Sequence, residues 1–151
     1  WTPVGPSSYE LLYRSGAGLT PRPLRRIASG GELSRVMLAS KVVLGNADGV
    51  DTLVFDEVDA GVGGSTARAL ASVLADLAAT HQVIVVTHLA QVAVMADKHY
   101  VVSKEPGDVP QTHLDEVTGE ARTAEIARML SGDQSEASLA HAKQMLEEAR
   151  G

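Results

Sequence analysis

Two short apolar runs, Thr52-Leu53-Val54-Phe55 and Val83-Ile84-Val85-Val86, limit the fold of this chain more than any other feature of its sequence. Neither run alternates between apolar and polar residues, and a segment with helical spacing lies between them. Strands without alternation are expected to be covered on both faces, and strands joined through helices run parallel. The expectation is an α/β chain with a mostly parallel sheet flanked by helices.

The rest of the pattern fits around these runs. Residues 1–23 hold four of the six prolines and read as an irregular leading segment with one short strand, in which Tyr9, Leu11 and Tyr13 share a half-buried face. A helix is expected from Ser29, with Leu33, Val36, Met37, Ser40 and Leu44 on one face and Gly45-Asn46 as its stop. After the first strand, Gly61-Val62-Gly63-Gly64 turns the chain into a helix capped by Ser65, with Ala67, Leu70, Leu74 and Leu77 on one face. After the second strand come a helix from Ala90 to Ala96 and a strand at Tyr100-Val101-Val102. A turn at Pro106-Gly107-Asp108 brings Thr112 to Val117 back as an edge strand. Two helices end the chain, Thr123 to Leu130, stopped by Gly132, and Ser135 to Ala149. The divisions are thus 1–23, a core at 24–104, and a hairpin with two helices at 105–151, all within a single lobe.

Composition narrows the chemistry. The 151 residues include no cysteine, which excludes disulfides, thiolate metal sites and a cysteine nucleophile. Aromatic residues make up only 3%, so the core must be built from Leu, Val, Ala and Ile. No apolar run reaches the roughly eighteen residues a membrane helix needs, so no membrane partner is expected. The net charge of −6 argues against a general nucleic-acid-coating surface. Arg14, Arg22, Arg25, Arg26 and Arg35 nevertheless cluster in one stretch, a solvated basic face or a site beside an anion. The chain begins with Trp1, not Met, and is expected to be a piece of a longer protein.

Ligands of parallel α/β sheets collect at the carboxyl ends of strands. Here one strand ends in Asp56-Glu57 and the other in Thr87-His88. An aspartate there can hold Mg²⁺ beside a nucleotide phosphate, and a glutamate next to it can polarise water. A capping aspartate beside an exposed glutamate fits the same residues. Ser29 with Glu32 matches a capping box. The intervening Gly30 and Gly31 also let backbone N–H groups approach an anion at a helix N-terminus. His81, His99, His113 and His141 show no metal-ligand spacing.

Taken together, Ala28-Ser29-Gly30-Gly31-Glu32, Leu53-Val54-Phe55-Asp56-Glu57, Asp59 and His88 resemble, in order and interval, the signature loop, Walker B segment, D-loop and H-loop of the ABC ATPase superfamily. Within it, the sequences from Ala28 to Ala39, Phe55 to Gly64, Val86 to Ala93 and Glu125 to Gly132 are similar to the RecN family of SMC-like bacterial DNA repair proteins. That likeness spans roughly Leu24 to Leu146.

The resemblance implies the C-terminal lobe of a P-loop NTPase head that hydrolyses ATP with Mg²⁺ in recombinational repair of DNA double-strand breaks. It implies that two heads, as a homodimer, sandwich ATP. Ser29, Gly30, Gly31 and Glu32 would face the nucleotide of the opposite head, and Asp56 would hold Mg²⁺. Glu57 would be the general base, His88 would sense the γ-phosphate, and Asp59 would link the two sites. A complete head also needs Gly-x-x-x-x-Gly-Lys-Ser/Thr, and no Gly-Lys pair occurs in this sequence. An N-terminal lobe bearing that P-loop is therefore an expected partner, with DNA reached through the full-length protein and a cytoplasmic, nucleoid-associated location. The alternatives are a head of another SMC-like or ABC family, and an ATP-gated dimerisation scaffold with little turnover.

Overall fold

Alternate residues of a strand face opposite ways, so Leu53 and Phe55 share one side of strand β3 (Thr52–Phe55) and Val54 lies on the other. Leu53 and Phe55 are buried, whereas Val54 is 66% exposed. The computed structural model describes residues 5, 9–27, 29–105 and 111–149. Ala28 and the expected turn at Pro106-Gly107-Asp108 lie outside these residues.

The chain is α/β. It opens with a small antiparallel ribbon, β1 (Leu12–Tyr13) and β2 (Arg22–Pro23), closed by a short 3₁₀ turn at Leu24–Arg26. Helix α1 (Gly30–Leu44) leads into β3, and helix α2 (Gly64–Ala78) into β4 (Gln82–Val85). Strands β3 and β4 pair in parallel with Leu53 opposite Val83 and Phe55 opposite Val85. A short helix, α3 (Ala90–Ala93), precedes β5 (His99–Glu105), which pairs antiparallel with β6 (Gln111–Val117). Helices α4 (Gly119–Ser131) and α5 (Glu136–Glu148) finish the described chain.

Several sequence expectations shift. Strand β5 does not extend the parallel pair; among the described residues there are three separate two-stranded sheets. The parallel pair is covered on one face only, and Val54, Ile84 and Val86 stay exposed on the other. Tyr9 and Leu11 are exposed too. Helix α2 begins at Gly64 with Gly63 as N-cap, two residues before the expected cap Ser65, and no side chain caps it. The apolar stripe of α1 faces outward: Leu33, Met37 and Leu44 are exposed, while Gly31 and Leu38 are buried. Helix α1 packs through its Gly31, Ser34–Arg35 and Leu38 side. Its other side lines a groove of about 240 Å³ with Leu53, Val54 and Phe55.

Two cores hold these pieces. The first joins Leu38, Leu53, Phe55 and Val58 to the inner face of α2, where Leu70, Leu74 and Leu77 recur at helical spacing. The second joins Ala90, Ala93 and Val94 of the α3 region to Ile126 and Ala127 of α4 and Leu146 of α5. Arg122 of α4 clamps the end of α3 by donating to the carbonyls of Ala93, Val94 and Ala96 at 3.2, 3.2 and 2.6 Å. Those carbonyls lie at a helix end, where a cation is the favoured partner. Helix α4 stops at Gly132, whose left-handed φ of 77° closes the last turn.

Between α4 and α5, one oxygen of Asp133 accepts from the hydroxyls of Ser131, Ser135 and Ser138 and from the Ser135 N–H. These donors favour the ionised carboxylate and lower its pKa from 3.8 to about 2, with the Ser138 hydroxyl the largest contributor. A group depressed on folding stabilises the native state above its unfolded pKa. That contribution is lost as pH falls through the folded value. The start of α5 should therefore keep its amide protection until pH falls towards about 2. Carboxyl chemical shifts check this: a midpoint for Asp133 near the unfolded 3.8 would refute the four-donor arrangement.

Candidate functional site

The helix-start loop, the loop after β3 and the loop after β4 meet at one end of the parallel pair. Ser29 caps α1, its Oγ accepting the Glu32 N–H at 3.4 Å, so the expected cap is present. Ser29 and Gly30 are exposed, Glu32 is half-buried and Gly31 is buried. The two glycines allow a close approach of chains. A Cβ on Gly30 would collide with the Glu57 carboxylate, so the first turn of α1 lies directly against that side chain. A Cβ on Gly31 would stand 2.8 Å from both the Ala60 Cβ and the Glu57 carbonyl oxygen.

The loop after β3 is held on its other side by Ser34 and Arg35, for which the sequence suggested no such role. Ser34 Oγ donates to the Asp56 carbonyl at 2.6 Å. Arg35 Nη1 donates to the carbonyls of Val58 and Ala60 at 3.1 and 2.9 Å. Gly31, Ser34, Arg35 and Leu38 follow i, i+3, i+4, i+7 spacing, which was the available signal. Asp56 and Glu57 both stand exposed at the strand end. Glu57 has φ +56°, the positive φ found in no other non-glycine among the described residues. That conformation costs a non-glycine residue about 1 kcal/mol or more, and the surrounding bonds hold it in place.

Asp59 points inward. It is 2% exposed, and its Oδ2 accepts from the Thr87 hydroxyl at 2.5 Å and the His88 N–H at 3.0 Å. The His88 ring adds Nδ1 at 3.2 Å. Thr87 Oγ1 in turn accepts the Leu89 N–H at 3.0 Å, just before α3. The His88 side chain is itself 70% exposed. All the site residues expected from sequence therefore fall on three touching loops, with Asp59 joining the second to the third.

This donor set can meet an anion and a hydrated cation. Asp56 is one exposed carboxylate at a strand end. Mg²⁺ keeps several waters and takes one or two carboxylates beside phosphate oxygens, so one such residue suits it. Among the described residues no group of three or more His, Asp or Glu side chains forms a protein-only metal cage. Among the described residues no helix is long and apolar enough to cross a membrane.

The chain is 52% identical over 146 residues to the DNA repair protein RecN of Treponema pallidum, covering 95% of this chain and 26% of that protein. It is 49% identical to RecN of Streptomyces coelicolor over 150 residues, covering 98% and 26%. With RecN of Deinococcus radiodurans it shares 52% over 143 residues, covering 94% and 25%. Over this span the chain belongs to the RecN family. It spans about a quarter of the length of these RecN proteins. No family model matches it. A solved chain from structural work on ATP-driven dimerization and DNA-stimulated activation of SMC ATPases aligns with TM-score 0.49 and 21% identity. That alignment covers 89% of this chain and 69% of the other, and at that level nothing further rests on it.

The RecN-like stretch from Glu125 to Gly132 has an architectural role here. Ile126 and Ala127 are fully buried, Gly132 ends the helix, and Arg128 grips the Glu125 carboxylate through two bonds of 2.7 and 2.6 Å. That grip, first among its causes, lowers the Glu125 pKa.

The two glycines of the RecN-like helix start should respond differently to a methyl group. Gly30→Ala meets only the tip of a flexible side chain and should change stability by less than about 1 kcal/mol. Gly31→Ala meets backbone and a neighbouring Cβ, and should cost about 1–3 kcal/mol by overpacking. Denaturant unfolding of both variants checks this, and equal stabilities would contradict the packing.

Proposed function

We propose that this chain is the C-terminal part of an ATP-hydrolysing, SMC-like head that acts in recombinational repair of DNA double-strand breaks. The observation that carries the reading is the meeting of Ser29–Gly31, Asp56–Glu57 and Thr87–His88 on three bonded loops, in a chain with about 50% identity to RecN proteins. The reading is supported further by the open apolar surface. Val54, Ile84 and Val86 form an uncovered sheet face, and Leu33 and Met37 line the adjoining groove. Exposed apolar surface of this kind marks a seat for another part of the protein. Relatives about four times as long carry sequence to fill it, and the N-terminal lobe with its phosphate-binding Gly-Lys loop is the proposed occupant.

In the assembled head, Mg²⁺ held at Asp56 would offset the charge of the β- and γ-phosphates. Glu57 is the residue for the water. Its carboxylate would take a proton as the water oxygen bonds to the γ-phosphorus and the bond to ADP breaks. The side chain lies against Gly30 in this structure, so it must swing from the helix start to reach a nucleotide. Ser29 and the N–H groups opening α1 would meet the nucleotide of a second head, which makes the working unit a homodimer. A helix N-terminus suits that contact, since its unpaired N–H groups favour an anion. DNA would be engaged by the full-length protein.

A scaffold gated by ATP needs no group to accept a proton, and Glu57→Gln separates the two readings. In a full-length protein carrying this chain, steady-state phosphate release should fall about 10²–10⁴-fold, the usual worth of a general base. ATP binding should persist and ATP-bound dimers should accumulate, as light scattering would detect. Hydrolysis at the parent rate would show that Glu57 is not the base.

A further inference from the structure

Asp59 and His88 form a pair whose geometry says more than proximity. A single buried carboxylate oxygen, Asp59 Oδ2, accepts the Thr87 hydroxyl and the His88 N–H, and the His88 ring nitrogen Nδ1 stands 3.2 Å from it as an ion-pair partner. The backbone N–H fixes where residue 88 leaves β4, and the Nδ1 contact sets how the side chain turns. Thr87 is itself held by the Leu89 N–H. A histidine ring exposed to 70% would otherwise sample several rotamers and both neutral tautomers.

We infer that Asp59 is the positioning residue of His88: it holds Nδ1 as the proton-bearing nitrogen and leaves Nε2 to meet the ligand. The inference rests on the proposed role of this end of the chain in nucleotide chemistry. A carboxylate accepts only, so with the ring neutral the shared proton sits on Nδ1 and Nε2 carries a lone pair. In that state Nε2 can accept a hydrogen bond from water. A phosphate oxygen accepts only as well, so contact with it requires a proton on Nε2. The ring is then an imidazolium, and the Asp59 carboxylate balances its charge. Asp59 thereby excludes the neutral form with its proton on Nε2. It selects between a water-accepting ring and a cationic phosphate-donating ring. Acting within its own chain, the carboxylate is committed to Thr87 and His88. To reach a second head it would have to give up two hydrogen bonds and the His88 ring contact in a buried site, where unpaired polar groups are costly.

Two measurements test this. In the ¹⁵N-labelled chain at mildly alkaline pH, long-range proton–nitrogen correlations report the tautomer of each neutral imidazole, with His88 assigned by its loss in His88→Gln. The Nδ1–H form is expected for the native chain and for Thr87→Val, and the Nε2–H form should take over in Asp59→Ala. A native His88 in the Nε2–H form would overturn the inference even if Asp59→Ala does not fold. So would a folded Asp59→Ala whose ring is unchanged.

The second measurement is a double-mutant cycle on kcat at saturating ATP in the full-length protein. His88→Ala and Asp59→Ala should each lower kcat by about ten- to a hundredfold, the scale seen when carboxylates that orient metal-binding histidines are removed. The double variant should fall no further than His88→Ala alone. Losses that multiply would mean that Asp59 acts apart from His88, and would overturn the inference. A full-length protein without turnover would instead remove the proposed ATPase, while the ring measurement still decides whether Asp59 sets the tautomer.

Discussion

A carboxylate taken out of water is expensive unless donors replace its hydration, and the Asp59 side chain at 2% exposure is the clearest case in this chain. Its two hydrogen-bond donors and its ion-pair partner come from residues 87 and 88, so the cost of burial is offset only while the loops after β3 and β4 stay in register. The pairing of Phe55 with Val85 and the Val86 N–H bond to the Phe55 carbonyl bring those strand ends level. Sheet register and buried charge thus require each other. A slip of β4 by one residue would turn Thr87 away and leave Asp59 without its partners.

The same loop is gripped from the opposite side by α1. Ser34 and Arg35 satisfy three of its carbonyls, and Gly31 allows the helix to lie against Ala60. A guanidinium donating to two carbonyls ties helix position to loop shape. Helix α1, residues 56–60 and, through Asp59, His88 are therefore joined by continuous contacts. The left-handed Glu57 sits in the middle of this path. The second core, clamped by Arg122 to the end of α3, braces the third loop from behind.

Much of this was legible in the residues. The apolar runs marked β3 and β4, Gly132 and Ser135 marked the break between the last helices, and the inward face of α2 followed from its spacing. Ser29, Asp56, Glu57 and His88 stood out because their types suit phosphate and water chemistry. What sequence could not reveal was orientation. Asp59 at a loop reads as a solvated group, and only the fold turns it inward. Leu33 and Met37 read as part of one apolar face, and periodicity identifies such a stripe without naming what covers it. The Val54 face misled for the same reason: an apolar strand predicts a covered sheet, but the covering element need not belong to the described chain. Arg35 was noted as one of a basic cluster, and its partners turned out to be neutral carbonyls rather than an anion.

The central claim is that the three loops are locked together through Asp59, and amide hydrogen exchange at His88 and Leu89 tests it most directly. Neither N–H belongs to the strand ladder or to a helix; they are held by Asp59 Oδ2 and Thr87 Oγ1. The account predicts that both exchange slowly, on the scale of amides in α2, and that Asp59→Ala releases the pair while the amides of α5 keep their protection. Exchange of His88 and Leu89 in the native chain at the rate of an open surface loop would contradict it.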